Sequence, residues 1–212
     1  KLAPNSLDEE IGQKHLIGPG KVLTNLTNNN KIFSMILYGR PGIGKTSIAN
    51  AIVKQLGVKY RFLNATINNK HDFDVVVEEA KLFDGMVLIM DEIHRLNKDK
   101  QDLLLPQLES GLITLIGLTT SNPYHAINPA IRSRCQLFEL LPLSDNDIIE
   151  GLNRAIKSEY LKDIEIDEES IDYIAKVANT DLRYAYNLLE VAYYSSPDKK
   201  ITMEHLTKIN NK

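Results

Sequence analysis

The sequence predicts an α/β domain with a parallel five-stranded sheet and helices on both faces, followed by a small all-helical domain. Three observations predict it. Short apolar runs alternate with helical patterns up to about residue 142. The strongest runs end in a glycine, an acid or hydroxyl residues, as buried parallel strands do when they feed a loop. Beyond LPL, residues 141–143, no run reads convincingly as a strand.

The elements follow in order. IFSMILY, residues 32–38, is a buried strand entering a turn at Gly39. TSIANAIVKQL, residues 46–56, repeats apolar residues at helical spacing and stops at Gly57. KYRFLNAT reads as a second strand and FDVVVEEAKLF as a second helix. MVLIMD, residues 86–91, is a third strand, five apolar residues closed by an acid. A helix of roughly a dozen residues around DKQDLLLPQLES ends at Gly111, with LITLIGLTT the next strand. NPAIRSR is a short helix and QLFELL the last strand. Then Ser144 and Asp147 open a helix as N-cap and supporting acid, and helical patterns cover about 145–161, 168–178, 181–195 and 202–209. The expected domains are thus 1–142 and 143–212, without internal repeats.

Composition bounds the function. At 212 residues, 43% hydrophobic and 25% charged, the chain can bury one sizeable core and a smaller satellite. A net charge of −3 argues against coating nucleic acid by bulk charge. Cys135 is the single cysteine, which excludes an intrachain disulfide framework and suits a cytosolic setting. No apolar run approaches a membrane span, and no signal-peptide pattern opens the chain. It starts at Lys1 without methionine and stops in polar NNK, so it reads as a piece of something longer.

YGRPGIGKTS, residues 38–47, has the spacing G-x-x-x-x-G-K-[ST]. Gly39 and Gly44 let the backbone curl so that its N–H groups point at phosphates, and Lys45 adds a point charge there. Thr46 offers a hydroxyl to Mg²⁺ at the opening of a helix whose positive end faces the same place. Arg40 occupies a variable position. In VLIMDEIH, Asp91 ends a strand at the sheet edge beside the loop, where a carboxylate can hold Mg²⁺. Glu92 alternates to the other side, placed to take a proton from water. His94 completes a D-E-x-H string and reads as a structural or coupling residue. LIGLTTSNP ends a strand in polar residues, with Thr120 favoured over Asn122 to meet a γ-phosphate, or simply a capped strand-end turn. IRSRC carries two arginines, read either as a solvated helix end or as an arginine finger through Arg134. By pattern alone, Arg183 in NTDLRYAYNLLE is a surface charge.

Together these stretches resemble an AAA+ ATPase of the clamp-loader-like branch. They are most similar to the replication-associated recombination protein A family, bacterial relatives of the Werner-helicase-interacting ATPase. The resemblance runs from about residue 6 to 195 and rests on SLDEEIGQKHLIGPGKVL, SMILYGRPGIGKTSIA, LIMDEIHRLNKDKQDLLLPQLESGLITLIGLTTSNP, NPAIRSRC and NTDLRYAYNLLE. HRLNKDKQD is its most family-specific piece. It implies a P-loop AAA+ core followed by a helical lid, with Ile11, Gly12 and Leu16 lining an adenine pocket. Pro41, Gly42, Ile43, Gly44, Lys45, Thr46 and Ser47 would hold ATP, and Thr46 and Asp91 its Mg²⁺. Glu92 would activate water, Thr120 would be sensor 1, Arg134 the finger acting on a neighbouring subunit, and Arg183 sensor 2. Arg40 and Glu10 depart from the family's usual residues.

The resemblance further implies a cytoplasmic, nucleoid-associated DNA-dependent ATPase at stalled or gapped replication forks. Its expected partners are gapped or forked DNA, single-strand-binding protein and its own copies in a tetramer, with no membrane. The family's C-terminal oligomerising region lies beyond such a lid, so the 212-residue chain is expected to be monomeric. A clamp-loader subunit and a Holliday-junction branch-migration motor are the alternatives within the superfamily. A nucleotide-gated adaptor without significant turnover is the alternative of another class, and the acid Glu92 argues against it.

Overall fold

The computed structural model describes residues 4–210, so residues 1–3 and 211–212 of the expected domains lie outside the described residues. The chain divides into two compact units between Leu141 and Pro142. No helix among the described residues is long and apolar enough to cross a membrane.

In the first unit the elements are α1 (Val22–Asn28), β1 (Met35–Tyr38), α2 (Lys45–Leu56), β2 (Tyr60–Asn64), α3 (Lys70–Leu82) and β3 (Met86–Asp91). They continue with α4 (Lys98–Glu109), β4 (Ile113–Thr119), the short α5 (Pro123–Ala126) and α6 (Pro129–Arg132), and β5 (Gln136–Glu139). The strands form one sheet in the order β2-β3-β4-β1-β5, every neighbouring pair parallel. Period-two alternation sorts their side chains between two cores. Leu37, Val87, Ile89, Ile116 and Leu118 pack with Ile48, Ile52 and Leu23 from α2 and α1. Ile36, Leu88, Met90, Ile113 and Leu115 pack with Phe73 and Val76 of α3, Leu104 of α4 and Ile131 of α6. The expected five-stranded parallel sheet with helices on both faces is therefore present.

Boundaries shift for local reasons. The first strand begins at Met35 rather than at residue 32 because the Leu115 N–H donates to the Ser34 hydroxyl, 3.0 Å, instead of to a strand carbonyl. Helix α3 starts at Lys70, a turn earlier than expected, because Asn69 and Asp72 form a reciprocal capping box.

The second unit holds α7 (Asp145–Ile156), α8 (Glu168–Ala178), α9 (Leu182–Ser195) and α10 (Met203–Ile209) around a core that includes Leu152, Ile174, Leu189 and Leu206. Ser144 and Asp147 form the capping box expected for α7. That helix stops at Ile156, and a 3-10 turn, Glu159–Leu161, covers the rest of the expected 145–161 span. A Cβ on Gly151 would lie 2.7 Å from Leu182 Cδ1, so glycine lets α7 and α9 approach closely. A short ladder departs from the all-helical expectation: β6 (Glu165–Ile166) and β7 (Lys200–Ile201) pair in parallel. Two residues are too few to show a period, which is why this unit reads as wholly helical in sequence.

Candidate nucleotide site

The strand order reverses direction between β1 and β4, and in such sheets ligands bind beyond the C-terminal strand ends at the reversal. Register places Tyr38 opposite Thr119 and Asn64 opposite Asp91, so the loop after β1, the end of β4 and the acids after β3 share one edge.

The loop from Gly39 to Gly44 leads into α2. Gly39 is sterically obligatory, since a Cβ there would lie 2.6 Å from the Leu140 carbonyl oxygen and 2.5 Å from Ile43 Cδ1. Gly44 is the N-cap of α2 at φ 98°, a left-handed conformation that favours glycine. Ile43 is buried and anchors the loop, while Arg40, Pro41, Gly42 and Thr46 are exposed. The Lys45 ammonium donates to the carbonyls of Gly39, 2.8 Å, and Arg40, 2.9 Å. Burial pulls its pKa below the usual lysine value, opposed by the nearby negative charges of Asp91 and Glu92. The lysine and both acids thus share one electrostatic neighbourhood. Ser47 donates to the carboxylate of Glu10, 3.0 Å, which ties the N-terminal segment to the loop.

Asp91 closes β3, and its Oδ1 accepts the Glu92 N–H at 2.9 Å. Glu92 then takes φ 55°, ψ 38°, a left-handed conformation outside glycine, and a 3-10 turn follows over Ile93–Arg95. A hydroxyl (Thr46) and a carboxylate (Asp91) are hard oxygen donors of the kind Mg²⁺ takes, together with phosphate oxygens and water. The set fits that ion.

Strand β4 ends at Thr119, so Thr120 lies one residue beyond it and is exposed. The Asn122 side chain caps α5 by accepting the Tyr124 N–H at 3.0 Å. Thr119, 1% exposed, bonds to His94 through its hydroxyl.

Ile11 is half-buried, Gly12 is buried at φ 79°, and Leu16, 7% exposed, joins the core against α2. Sequence reasoning missed what holds this segment. Gln13, at φ 52° and 5% exposed, forms two bonds with Leu141: its amide donates to the carbonyl at 2.8 Å and accepts the N–H at 2.9 Å. A glutamine between a glycine and a basic pair carries no periodic signal.

The HRLNKDKQD string also gains a physical role. Asn97 caps α4. Lys100 donates to the carbonyls of Ala65 and Asn68, fastening the loop after β2. Gln101 donates to the Leu96 carbonyl at 2.7 Å and accepts from Asn128 at 2.8 Å, fixing the start of α6. The two arginines that follow differ. Arg132 donates to the Tyr124 carbonyl at 2.8 Å. Arg134 is exposed and meets Glu109 in a surface ion pair at 3.1 Å. Arg183 is exposed near the start of α9 in the second unit.

Residues 2–131 match the family described as the Holliday junction DNA helicase RuvB P-loop domain. The chain is 46% identical over 211 residues to replication-associated recombination protein A of Bacillus subtilis, covering 98% of this chain and 50% of that protein. It is 35% identical over 199 residues to the protein of that name in Escherichia coli K12, covering 90% of this chain and 44% of that protein. The chain therefore spans about half the length of these curated relatives. Among solved structures, the Holliday junction branch migration motor RuvB of Thermotoga maritima superposes with a TM-score of 0.83 at 28% identity, over 98% of this chain and 71% of that one. With its P-loop domain match, its parallel sheet and these relatives, the chain belongs to the AAA+ ATPases of the replication-associated recombination protein A family.

Proposed function

We propose that the chain is the ATP-binding and hydrolysing core of a DNA-dependent ATPase that acts in replication-fork maintenance, recombination and repair. One observation carries the catalytic part: strand order and register put the glycine loop after β1, the end of β4 and the acids Asp91 and Glu92 at the end of β3 on one edge of the sheet. The backbone N–H groups of residues 41–47 and the Lys45 ammonium hold the β- and γ-phosphates, and Ile11, Gly12 and Leu16 line the adenine. Thr46 and Asp91 hold Mg²⁺, which when bound offsets charge on the phosphate oxygens. Glu92 takes the proton of a water aligned with the γ-phosphate. Thr120 contacts the γ-phosphate from the end of β4, and Arg183 keeps the sensor 2 role that the resemblance implies.

Arg134, rather than Arg132, is the arginine finger delivered to the neighbouring subunit. Arg132 is spent on the Tyr124 carbonyl, whereas Arg134 stands exposed in a surface pair that costs little to open. The full-length protein is a tetramer that engages gapped or forked DNA and single-strand-binding protein in the cytoplasm, at the nucleoid. The RuvB P-loop match favours a second reading, a Holliday-junction branch-migration motor. The higher identity to the recombination family, 46% against 28%, favours the first.

The test is ATP turnover by the full-length protein, alone, with gapped DNA and with a four-way junction. Glu92→Gln should bind ATP and lose on the order of 100-fold or more in turnover. Lys45→Ala should lose binding itself. Turnover stimulated by the junction alone, with strand movement, would replace the first reading by the second. Full turnover in Glu92→Gln would remove the base assignment.

A further inference from the structure

We propose that His94 is the positioning residue for Glu92, a strut that fixes the water-activating carboxylate to the end of β4. The proposal rests on the assignment of Glu92 as general base.

The side chains form a chain of contacts across two strands. His94 Nε2 lies 3.2 Å from Glu92 Oε2, and His94 Nδ1 lies 2.8 Å from the Thr119 hydroxyl. The Thr119 hydroxyl oxygen also accepts the Ser121 N–H at 3.0 Å. The imidazole is largely enclosed, 14% exposed, while Glu92 is 37% exposed. The tautomer follows from the partners. An ionised carboxylate only accepts, so Nε2 carries the proton and donates to Glu92. In a neutral ring Nδ1 then accepts, and the Thr119 O–H is available to donate because its oxygen already takes the Ser121 N–H. Every polar group in the chain of contacts is satisfied in one direction, from backbone to carboxylate.

The backbone is shaped to allow it. Glu92 sits at φ 55°, which turns the chain sharply after Asp91 and brings His94 back over β4. Gly117 on β4 makes room for that turn, since a Cβ there would lie 2.7 Å from Ile93 Cδ1. The strut's other end is equally well placed. Thr119 pairs in register with Tyr38, the residue before the loop, and directly precedes Thr120.

A glutamate near the surface otherwise samples several rotamers, and a base must hold one of them to align water. The imidazole occupies Oε2 and the other oxygen is the one that serves the water. Any ordering of the β4 end, by phosphate at the loop or at Thr120, is passed through Thr119 and His94 to the carboxylate. This makes His94 a link between nucleotide sensing and chemistry, without contact to the substrate.

The test uses the full-length protein, with single-turnover hydrolysis and equilibrium binding of ATP measured separately. His94→Ala should slow the chemical step by about 10- to 100-fold, the scale of an ångström-level misplacement, and leave ATP affinity within about twofold. Thr119→Val should lose less in the same direction, and Thr119→Ser, which keeps the hydroxyl, should match wild type. The deciding comparison is His94→Ala in a Glu92→Gln background, where the histidine has no base left to position and no further loss is expected. An equal loss in both backgrounds would overturn the strut, as would an unchanged rate in His94→Ala. Wild-type turnover in Glu92→Gln alone would instead overturn the base assignment, and the strut with it. The two substitutions of Thr119 decide the matter even where His94→Ala folds poorly, because equal rates in Thr119→Val and Thr119→Ser would break the link.

Discussion

Gly39→Ala is the sharpest perturbation the loop offers, because the obstacle is backbone. The added Cβ would meet the Leu140 carbonyl oxygen at 2.6 Å, where ordinary contact starts at 3.4 Å, so something must move by about 0.8 Å. Leu140 is poorly placed to move, since its N–H donates to the Tyr38 carbonyl at 2.8 Å, pinning it to the residue before the glycine. The displacement therefore falls on the loop. A phosphate-facing N–H···O bond of about 2.9 Å stretched by that amount passes the roughly 3.2 Å limit of a good hydrogen bond. Losing one or two such charge-assisted bonds, at about 1.5–3 kcal/mol each, predicts ATP binding weaker by about 10- to 100-fold or more, with tenfold per 1.4 kcal/mol. Overpacking adds a stability loss of about 1–3 kcal/mol. Titration with a fluorescent ATP analogue and urea unfolding read the two effects. Ile43→Val, which removes the other close atom, should fail to rescue Gly39→Ala. Gly44→Ala has open space around its Cβ but a φ of 98°, so it should suffer backbone strain alone, about 1–2 kcal/mol. Wild-type affinity and stability in Gly39→Ala would refute the packing argument, and full rescue by Ile43→Val would show that a side chain, not the backbone, set the limit.

Arg134→Ala should leave ATP binding intact in the full-length oligomer and remove about 10³- to 10⁵-fold of its turnover; mixing it with Lys45→Ala should restore part of the rate, and a large loss in a dilute monomer would place the arginine in its own subunit's site. Gln13→Ala strips Leu141 of two hydrogen bonds and should cost about 1–3 kcal/mol in urea unfolding, with Gln13→Glu, which sets a buried carboxylate oxygen against the Leu141 carbonyl, costing at least as much; equal stability in all three proteins would mean the clamp is idle. Burial pushes the Cys135 thiol up to about 12, so the folded protein should resist iodoacetamide at pH 8 and react once unfolded, read by mass spectrometry. The sign for stability follows, because the unfolded thiol ionises near pH 8.5 and the folded one near 12, so stability from this residue is lost as pH rises across that window.

What the sequence disclosed and what it hid divide along a physical line. The sheet was legible because buried parallel strands need uninterrupted apolar runs, and MVLIMD gave the bounds of β3 to the residue. The loop was legible because curling backbone around phosphate demands glycine at fixed spacing, and Gly39 and Gly44 meet that demand in different ways, one by contact and one by φ. The hidden features are hydrogen bonds from polar side chains to groups distant in sequence. Gln13 with Leu141, Lys100 with Ala65, Gln101 with Asn128 and His94 with Thr119 are separated by 128, 35, 27 and 25 positions. No local rule of period or propensity constrains such contacts, and Gln13, Lys100, Gln101 and His94 are polar side chains that a composition-minded reading assigns to solvent. Yet three of those four pairs draw a residue from HRLNKDKQD, the string whose distinctiveness had no evident purpose in the sequence. That string begins two residues after Glu92, so its side chains tie the chain that leaves β3 to β4, to the β2 loop and to the helix leading to Arg134. Three of its residues, His94, Lys100 and Gln101, thus answer to three surrounding elements rather than to one ligand.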